Sequence, residues 1–168
     1  NQNSLIFSVD SKDANSFYNK FGFIHYRSKS SLFHSSIDSS FKYYSKVKNS
    51  EKRNSAFRNK EGKPRHFIDV FRDLKSGTLN IYSSNEVRSL INNHVPSNKR
   101  FIFTHSKMSF KQIESISDWY PHQDNGYKSE KDIREGFAIF ICLEDMNEEN
   151  GCLQVFPESH KLGLLKHT

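Results

Sequence analysis

The residues best suited to chemistry are a histidine and an aspartate two positions apart, His122 and Asp124, with Gln123 between them. In an extended segment, residues two apart project from the same side of the chain, so this spacing sets an imidazole beside a carboxylate. Such a pair supplies two of the three ligands in the two-histidine, one-carboxylate sites that bind Fe(II) and leave positions open for substrate and O₂. For an isolated pair, a structural or surface role is the favoured interpretation, and metal binding by His122 and Asp124 is the alternative.

Further short motifs follow this pair along the chain. They are Leu143-Glu144-Asp145, Asn150-Gly151-Cys152-Leu153 and Pro157-Glu158-Ser159-His160-Lys161. Together with the His-Gln-Asp element at 122–124, their order and spacing closely resemble the phytanoyl-CoA dioxygenase family of Fe(II)- and 2-oxoglutarate-dependent oxygenases. The resemblance covers about residues 119–167, and residues 21–24 weakly resemble the family's N-terminal strand.

The resemblance implies a fold and an activity. The expected fold is mainly β with flanking helices, a partial double-stranded β-helix of the jelly-roll, cupin-like type. The expected reaction is hydroxylation of a small molecule or an acyl thioester by O₂, with 2-oxoglutarate converted to succinate and CO₂ at Fe(II) held by His122 and Asp124. The presence of Asp124 favours hydroxylation over halogenation, because related halogenases carry a small residue in that place.

The resemblance also suggests which side chains surround the metal. Those expected to contact 2-oxoglutarate are Gln123, Lys107, Met108, Lys111 and Phe140. Tyr127 is expected on the substrate side, with aromatic packing as the alternative, and core packing is an equal alternative for Phe140. The family's loop histidine is not a ligand, so we expect His160 to hold its loop by hydrogen bonds. Glu158 replaces the family's usual glycine, which puts a positive φ at that position in question.

Sequence patterns predict the elements that carry these motifs. Helices are expected at residues 13–20, with Asp10 or Ser11 as cap, at 37–47, and after a capping box formed by Ser83 and Glu86. Strands are expected at 5–9, 21–26, 101–103, 108–112, 137–143 and 152–156, with 137–143 as the central strand. Helices followed by a run of short strands indicate a β-sandwich or barrel with helical additions.

We interpret residues 1–168 as a single incomplete oxygenase domain. Residues 1–99 form a helical, basic part, and residues 100–168 form the first half of the jelly roll with the His-x-Asp motif. The family's distal histidine ligand and the arginine that clamps 2-oxoglutarate cannot be assigned to any residue here. The sequence is therefore expected to be a fragment that lacks the C-terminal part and is inactive by itself.

Charge and composition restrict the choice of partners. Residues 1–111 carry twenty Lys and Arg against eight Asp and Glu, whereas residues 112–168 carry five against eleven. The basic run from Lys42 to Lys75 is suited to nucleic acid, an anionic membrane or a phosphorylated substrate. Because no recognisable binding motif accompanies it, we interpret it as a solvated surface. No apolar run approaches the roughly 20 residues of a membrane-spanning helix. A small-molecule substrate and O₂ are thus the expected partners, with no nucleic acid and no membrane.

Three further expectations complete the interpretation. Cys142 and Cys152 are expected to be buried thiols in a reducing compartment, and the cytoplasm is the expected location. The alternative to an enzyme is a non-catalytic cupin-like binding or structural protein that lacks the distal iron ligand. The 15 Phe residues indicate a real apolar core in either case.

Overall fold

The computed structural model describes residues 6–8, 11–47, 57–58, 64–100, 102–110, 120–128 and 136–165. The helices in these ranges are α1 (Ala14–Phe21), α2 (Ser31–Val47), α3 (Thr78–Tyr82) and α4 (Asn85–His94). The strands are β1 (Ile6–Phe7), β2 (His25–Tyr26), β3 (Phe57–Arg58), β4 (Pro64–Ile68) and β5 (Lys107–Ser109). Strands β1 and β2 pair in parallel, and β3, β4 and β5 form an antiparallel sheet in that order.

Helix α1 ends where its sequence predicts an end. Gly22 adopts a left-handed conformation (φ +81°) and donates its N–H to the carbonyl of Tyr18 at 2.7 Å, which caps the last turn. The apolar side of the helix is aromatic: the Phe17 ring lies 5.0 Å from that of Phe7 on β1 and 4.6 Å from that of Phe21. Asp13, rather than Ser11, stands at the N-cap and makes no side-chain capping bond; Asp10 lies outside the described residues.

Helix α2 begins six residues earlier than its apolar pattern predicts. The Ser30 hydroxyl accepts the N–H of Phe33 at 3.2 Å, and this cap starts the helix at Ser31. Two internal serines, Ser36 and Ser39, donate their hydroxyls to carbonyls four residues back. Serine side chains that are satisfied in this way no longer compete with the helical backbone, so a Ser-rich segment can remain helical.

The core lies between α2 and the antiparallel sheet. Tyr44, Phe67 and Val70 are buried together. The partly buried side chains packed against them are Tyr43, Val47, Met108 and Phe110. Met108 pairs with Phe67 across β4 and β5, so the strand predicted around Met108 and Phe110 is confirmed and its apolar side faces the core.

The predicted jelly roll is wrong for this structure, in which two small sheets accompany the helices. Residues 137–143 and 152–156 form no strand, and the side chains of Phe140 and Phe156 are 52% and 61% exposed. Residues 102 and 103 also lie outside any strand, and Ile102 is 83% exposed. An apolar run becomes a strand only when a neighbouring strand completes its hydrogen bonds and another layer covers its face. In the described part of the chain, no neighbouring strand pairs with residues 102–103, 137–143 or 152–156.

The basic run from Lys42 to Lys75 is described only in part. Lys42 and Lys46 lie on α2, and Arg72 and Lys75 lie in short 3₁₀ turns after β4. The residues between 48 and 56 and between 59 and 63 lie outside the described ranges, so the expected solvated surface stays a prediction. None of the described helices has the length and apolar character needed to cross a membrane.

Candidate metal centre

The His-Gln-Asp motif lies in an extended segment that leads into a turn, not in a strand. Gln123 has extended backbone angles (φ −105°, ψ +131°), and Asp124 opens a 3₁₀ turn over Asp124–Tyr127. Because the backbone is extended at Gln123, His122 and Asp124 emerge on one side of the chain. Nε2 of His122 lies 3.6 Å from Oδ1 of Asp124, with the two side chains 30% and 77% exposed.

A backbone carbonyl orients the imidazole of His122. Nδ1 lies 2.8 Å from the carbonyl oxygen of Tyr120, which can only accept a hydrogen bond, so Nδ1 carries the proton. In the neutral ring Nε2 is then an acceptor, and it lies 3.6 Å from Oδ1 of Asp124. The Nε2 lone pair and the carboxylate oxygen both donate electron pairs, so a cation or a proton between them is needed to hold them together. Metal-binding histidines usually donate a hydrogen bond from the ring nitrogen that does not bind the metal. His122 and Asp124 therefore fit a metal ion.

Tyr127 packs against this histidine from the end of the same 3₁₀ turn. The two rings are 5.3 Å apart between centroids, at 61°, an edge-to-face arrangement. The Tyr127 side chain is otherwise largely exposed. It therefore restricts rotation of the imidazole and borders the open side of the pair, where the sequence predicts substrate contacts.

The Gln123 side chain, predicted as a 2-oxoglutarate contact, is hydrogen-bonded to distant backbone. Its Nε2 donates to the carbonyl of Gly163 at 2.9 Å, and its Oε1 accepts the N–H of Leu165 at 2.8 Å. The residue thus joins the metal-ligand segment to the chain about 40 residues downstream. Sequence reasoning missed this role, because a residue between two ligands carries no signal of where its own side chain binds.

The other predicted cosubstrate residues occupy different surroundings. Met108 packs against the core formed by Tyr44, Phe67 and Val70. Lys107 precedes it on β5 and is exposed, and Phe140 is half exposed in an irregular segment. Lys111 lies outside the described residues. Their contact with 2-oxoglutarate stays a prediction.

The Ser-His-Lys loop is attached to the end of α1. Nε2 of His160 donates to the carbonyl of Asn19 at 3.2 Å, and the N–H of Glu158 donates to the carbonyl of Phe21 at 2.9 Å. The hydrogen bond expected of this loop histidine is present. Glu158 adopts a positive φ of +66° despite its side chain, so the positive φ that was in question at this position is present.

The Asn-Gly motif at residues 150 and 151 closes a turn. Asn150 accepts the N–H of Asn147 on its Oδ1 at 2.7 Å and donates Nδ2 to the carbonyl of Asp145, also at 2.7 Å. Gly151 follows with a φ of +79°. Both cysteines nearby are free thiols as predicted, but neither is buried: Cys142 is exposed and Cys152 is half-buried. Within the described ranges, no third His, Cys, Asp or Glu joins His122 and Asp124 in a cluster that could hold a metal.

Comparison with known proteins assigns the chain to a family. The profile of the phytanoyl-CoA dioxygenase (PhyH) family matches residues 29–168. A protein of Arabidopsis thaliana named phytanoyl-CoA dioxygenase is 37% identical over 68 residues, which is 40% of this chain and 24% of the relative's own length. No solved structure matches the chain. Because the profile covers most of its length, this chain belongs to the phytanoyl-CoA dioxygenase family.

Proposed function

We propose that the protein acts as an Fe(II)- and 2-oxoglutarate-dependent dioxygenase that hydroxylates a small molecule or an acyl thioester. Family membership supports an oxygenase of this type. The observation that carries the proposal is the pairing of His122 Nε2 with Asp124 Oδ1 at 3.6 Å on one side of an extended segment. These two atoms are the ligands that we assign, and the histidine and carboxylate types are those of non-haem Fe(II) oxygenase sites.

The chain's own residues perform three tasks in this proposal. The Tyr120 carbonyl keeps the proton of His122 on Nδ1, so that Nε2 can bind a metal. Asp124 supplies a negative charge that favours a dication. Tyr127 holds the imidazole by edge-to-face packing and lines the approach of substrate. Fe(II) with 2-oxoglutarate, when bound, supplies the activation of O₂ that hydroxylation requires.

Metal titration of matched variants tests the proposal. We expect Fe(II) and Co²⁺ to bind the wild-type chain, and the His122→Ala and Asp124→Ala variants each to lose most of that binding. In a form of the protein that has the third ligand, the same two variants should also abolish Fe(II)-dependent formation of succinate from 2-oxoglutarate. The controls are His105→Ala and Asp38→Ala, which remove an exposed histidine and an exposed aspartate elsewhere. Equal binding by all four variants would show that the pair is not a metal site. A wild-type protein that binds neither metal nor 2-oxoglutarate would favour the non-catalytic alternative.

A further inference from the structure

The Gln123 side chain binds one stretch of backbone through both its amide nitrogen and its amide oxygen. A primary amide has a donor and an acceptor side by side, and Gln123 presents both to residues 163–165: Nε2–H to the Gly163 carbonyl at 2.9 Å and Oε1 to the Leu165 N–H at 2.8 Å. Both distances are those of well-formed hydrogen bonds. Glutamate, of the same length, lacks the donor, and alanine lacks both groups.

These two hydrogen bonds, which we call the Gln123 clamp, lie on the side of the chain opposite to the candidate ligands. In extended backbone the side chain at position 123 projects away from those at 122 and 124. Fixing the amide therefore fixes the rotation of the segment about its own axis, and with it the direction in which His122 and Asp124 point. The contacts of His122 with the Tyr120 carbonyl and the Tyr127 ring come from residues close by in sequence, whereas the Gln123 amide reaches a distant segment.

The stretch that receives Gln123 is itself anchored. Residues 163–165 directly follow the 3₁₀ turn Ser159–Leu162. That turn is attached to the end of α1 through Glu158 N–H to the Phe21 carbonyl and His160 Nε2–H to the Asn19 carbonyl. Gln123 thus connects the ligand segment to a helix about 100 residues away in sequence, by way of the loop.

We propose that Gln123 is a positioning residue: its amide, bound to the backbone of Gly163 and Leu165, holds His122 and Asp124 in the orientation that binds the metal. This inference rests on the proposed function. It differs from the sequence-based expectation that Gln123 contacts 2-oxoglutarate, because the role proposed here is carried by hydrogen bonds to backbone. Loss of a group that orients metal ligands weakens metal binding by about 10- to 100-fold.

Two measurements on the same variants test this role. Hydrogen exchange at the Leu165 amide measures the clamp, and titration with Co²⁺, followed by its visible absorption, measures the site. For Gln123→Ala we expect faster exchange at Leu165 and Co²⁺ binding about tenfold weaker or worse. Gln123→Glu, which retains the length and the acceptor, should show a smaller loss of the same kind and serves if the alanine variant does not fold. Gln154→Ala, at an exposed glutamine, is the control.

The possible results distinguish failure of the positioning role from failure of the proposed function. A Phe67→Leu variant lowers stability in the distant core, and its Co²⁺ affinity should match that of the wild type. Faster exchange at Leu165 with unchanged Co²⁺ affinity overturns the positioning role, while loss of Co²⁺ in His122→Ala still upholds the metal site. Unchanged exchange at Leu165 in Gln123→Ala shows that the clamp is absent and also overturns the positioning role. If His122→Ala binds Co²⁺ like the wild type, the proposed function fails and this inference fails with it.

Discussion

The imidazole of His160 lies directly against Gly22, although 138 positions separate the two residues in sequence. A Cβ atom at Gly22 would come within 2.7 Å of His160 Cγ, a distance that real Cβ atoms do not reach. The glycine that ends α1 therefore does two things: it allows a left-handed φ and it leaves room for the loop histidine. This contact joins the N-terminal helix to the loop that Gln123 also reaches.

Replacing Gly22 by alanine should destabilise the protein by more than the cost of its left-handed backbone conformation. Gly77 has nearly the same left-handed conformation (φ +71°, ψ 0°), but a Cβ there would meet its neighbours at ordinary distances of 3.5 Å or more. We expect Gly77→Ala to lower the free energy of unfolding by about 1 kcal/mol, and Gly22→Ala to lower it further. Urea denaturation measures both. Addition of His160→Ala should recover part of the Gly22→Ala loss, and equal losses at the two glycines would contradict the contact.

At Glu158, glycine should give a more stable protein than alanine, which reverses their usual order of stability. Its φ of +66° is a left-handed conformation that costs a residue with a side chain about 1 kcal/mol. The ion pair between its Oε2 and Lys161 Nζ, at 3.1 Å, is largely exposed and contributes little. We expect Glu158→Gly to be more stable than Glu158→Ala by about 1 kcal/mol in thermal or urea unfolding. Lys161→Ala measures the ion pair separately, and an alanine variant as stable as the glycine variant would show that the loop is not strained.

The cap of helix α4 distinguishes two adjacent serines. The sequence predicts a capping box beginning at Ser83, whereas in the structure Ser84 is the N-cap and its hydroxyl accepts the Val87 N–H at 3.3 Å. Ser83 instead donates its hydroxyl to the Leu79 carbonyl. Ser84→Ala should lower the free energy of unfolding by about 1 kcal/mol, and Ser83→Ala by clearly less. The opposite order would support the box predicted from the sequence.

Acid should weaken the contact between α4 and the N-terminal part of the chain. The His94 ring lies 4.5 Å from the Tyr18 ring, and its Nε2 shares a 2.8 Å hydrogen bond with the Tyr26 hydroxyl. Its Nδ1 is buried and has no hydrogen-bond partner among the described residues. Burial lowers the pKa of His94 below its ordinary value. The unfolded chain then binds more protons, so this stabilising contribution is present above the unfolded pKa of about 6.5 and is lost as the pH falls through the folded pKa.

Unfolding curves across pH 5 to 8 test this assignment. The difference in unfolding free energy between wild type and His94→Gln should shrink as the pH is lowered, because the variant has no imidazole to protonate. His105→Gln, at an exposed site, is the control for the histidine change alone. A difference that grows on acidification would mean that the protonated form of His94 is favoured by folding, contrary to the effect of its burial.

Local sequence determined one helix end, one strand and the pairing of the candidate ligands. The end of α1 follows from Gly22, because a left-handed cap favours a residue without a side chain. The strand around Met108 follows from alternation of apolar and polar residues, and it pairs as a strand with β4. The pairing of His122 with Asp124 follows from their spacing, since extended backbone puts alternate residues on one side. These features depend on a few neighbouring residues.

Tertiary structure decided the features that depend on distant partners. Residues 137–143 are apolar enough for a strand, but a strand also needs hydrogen-bonding neighbours that its own sequence does not contain. The attachment of His160 to Asn19 and of Gln123 to Leu165 joins segments 141 and 42 residues apart. No local pattern encodes such contacts, because hydrogen bonds between distant backbone and side chains form only after the chain has brought the two segments together.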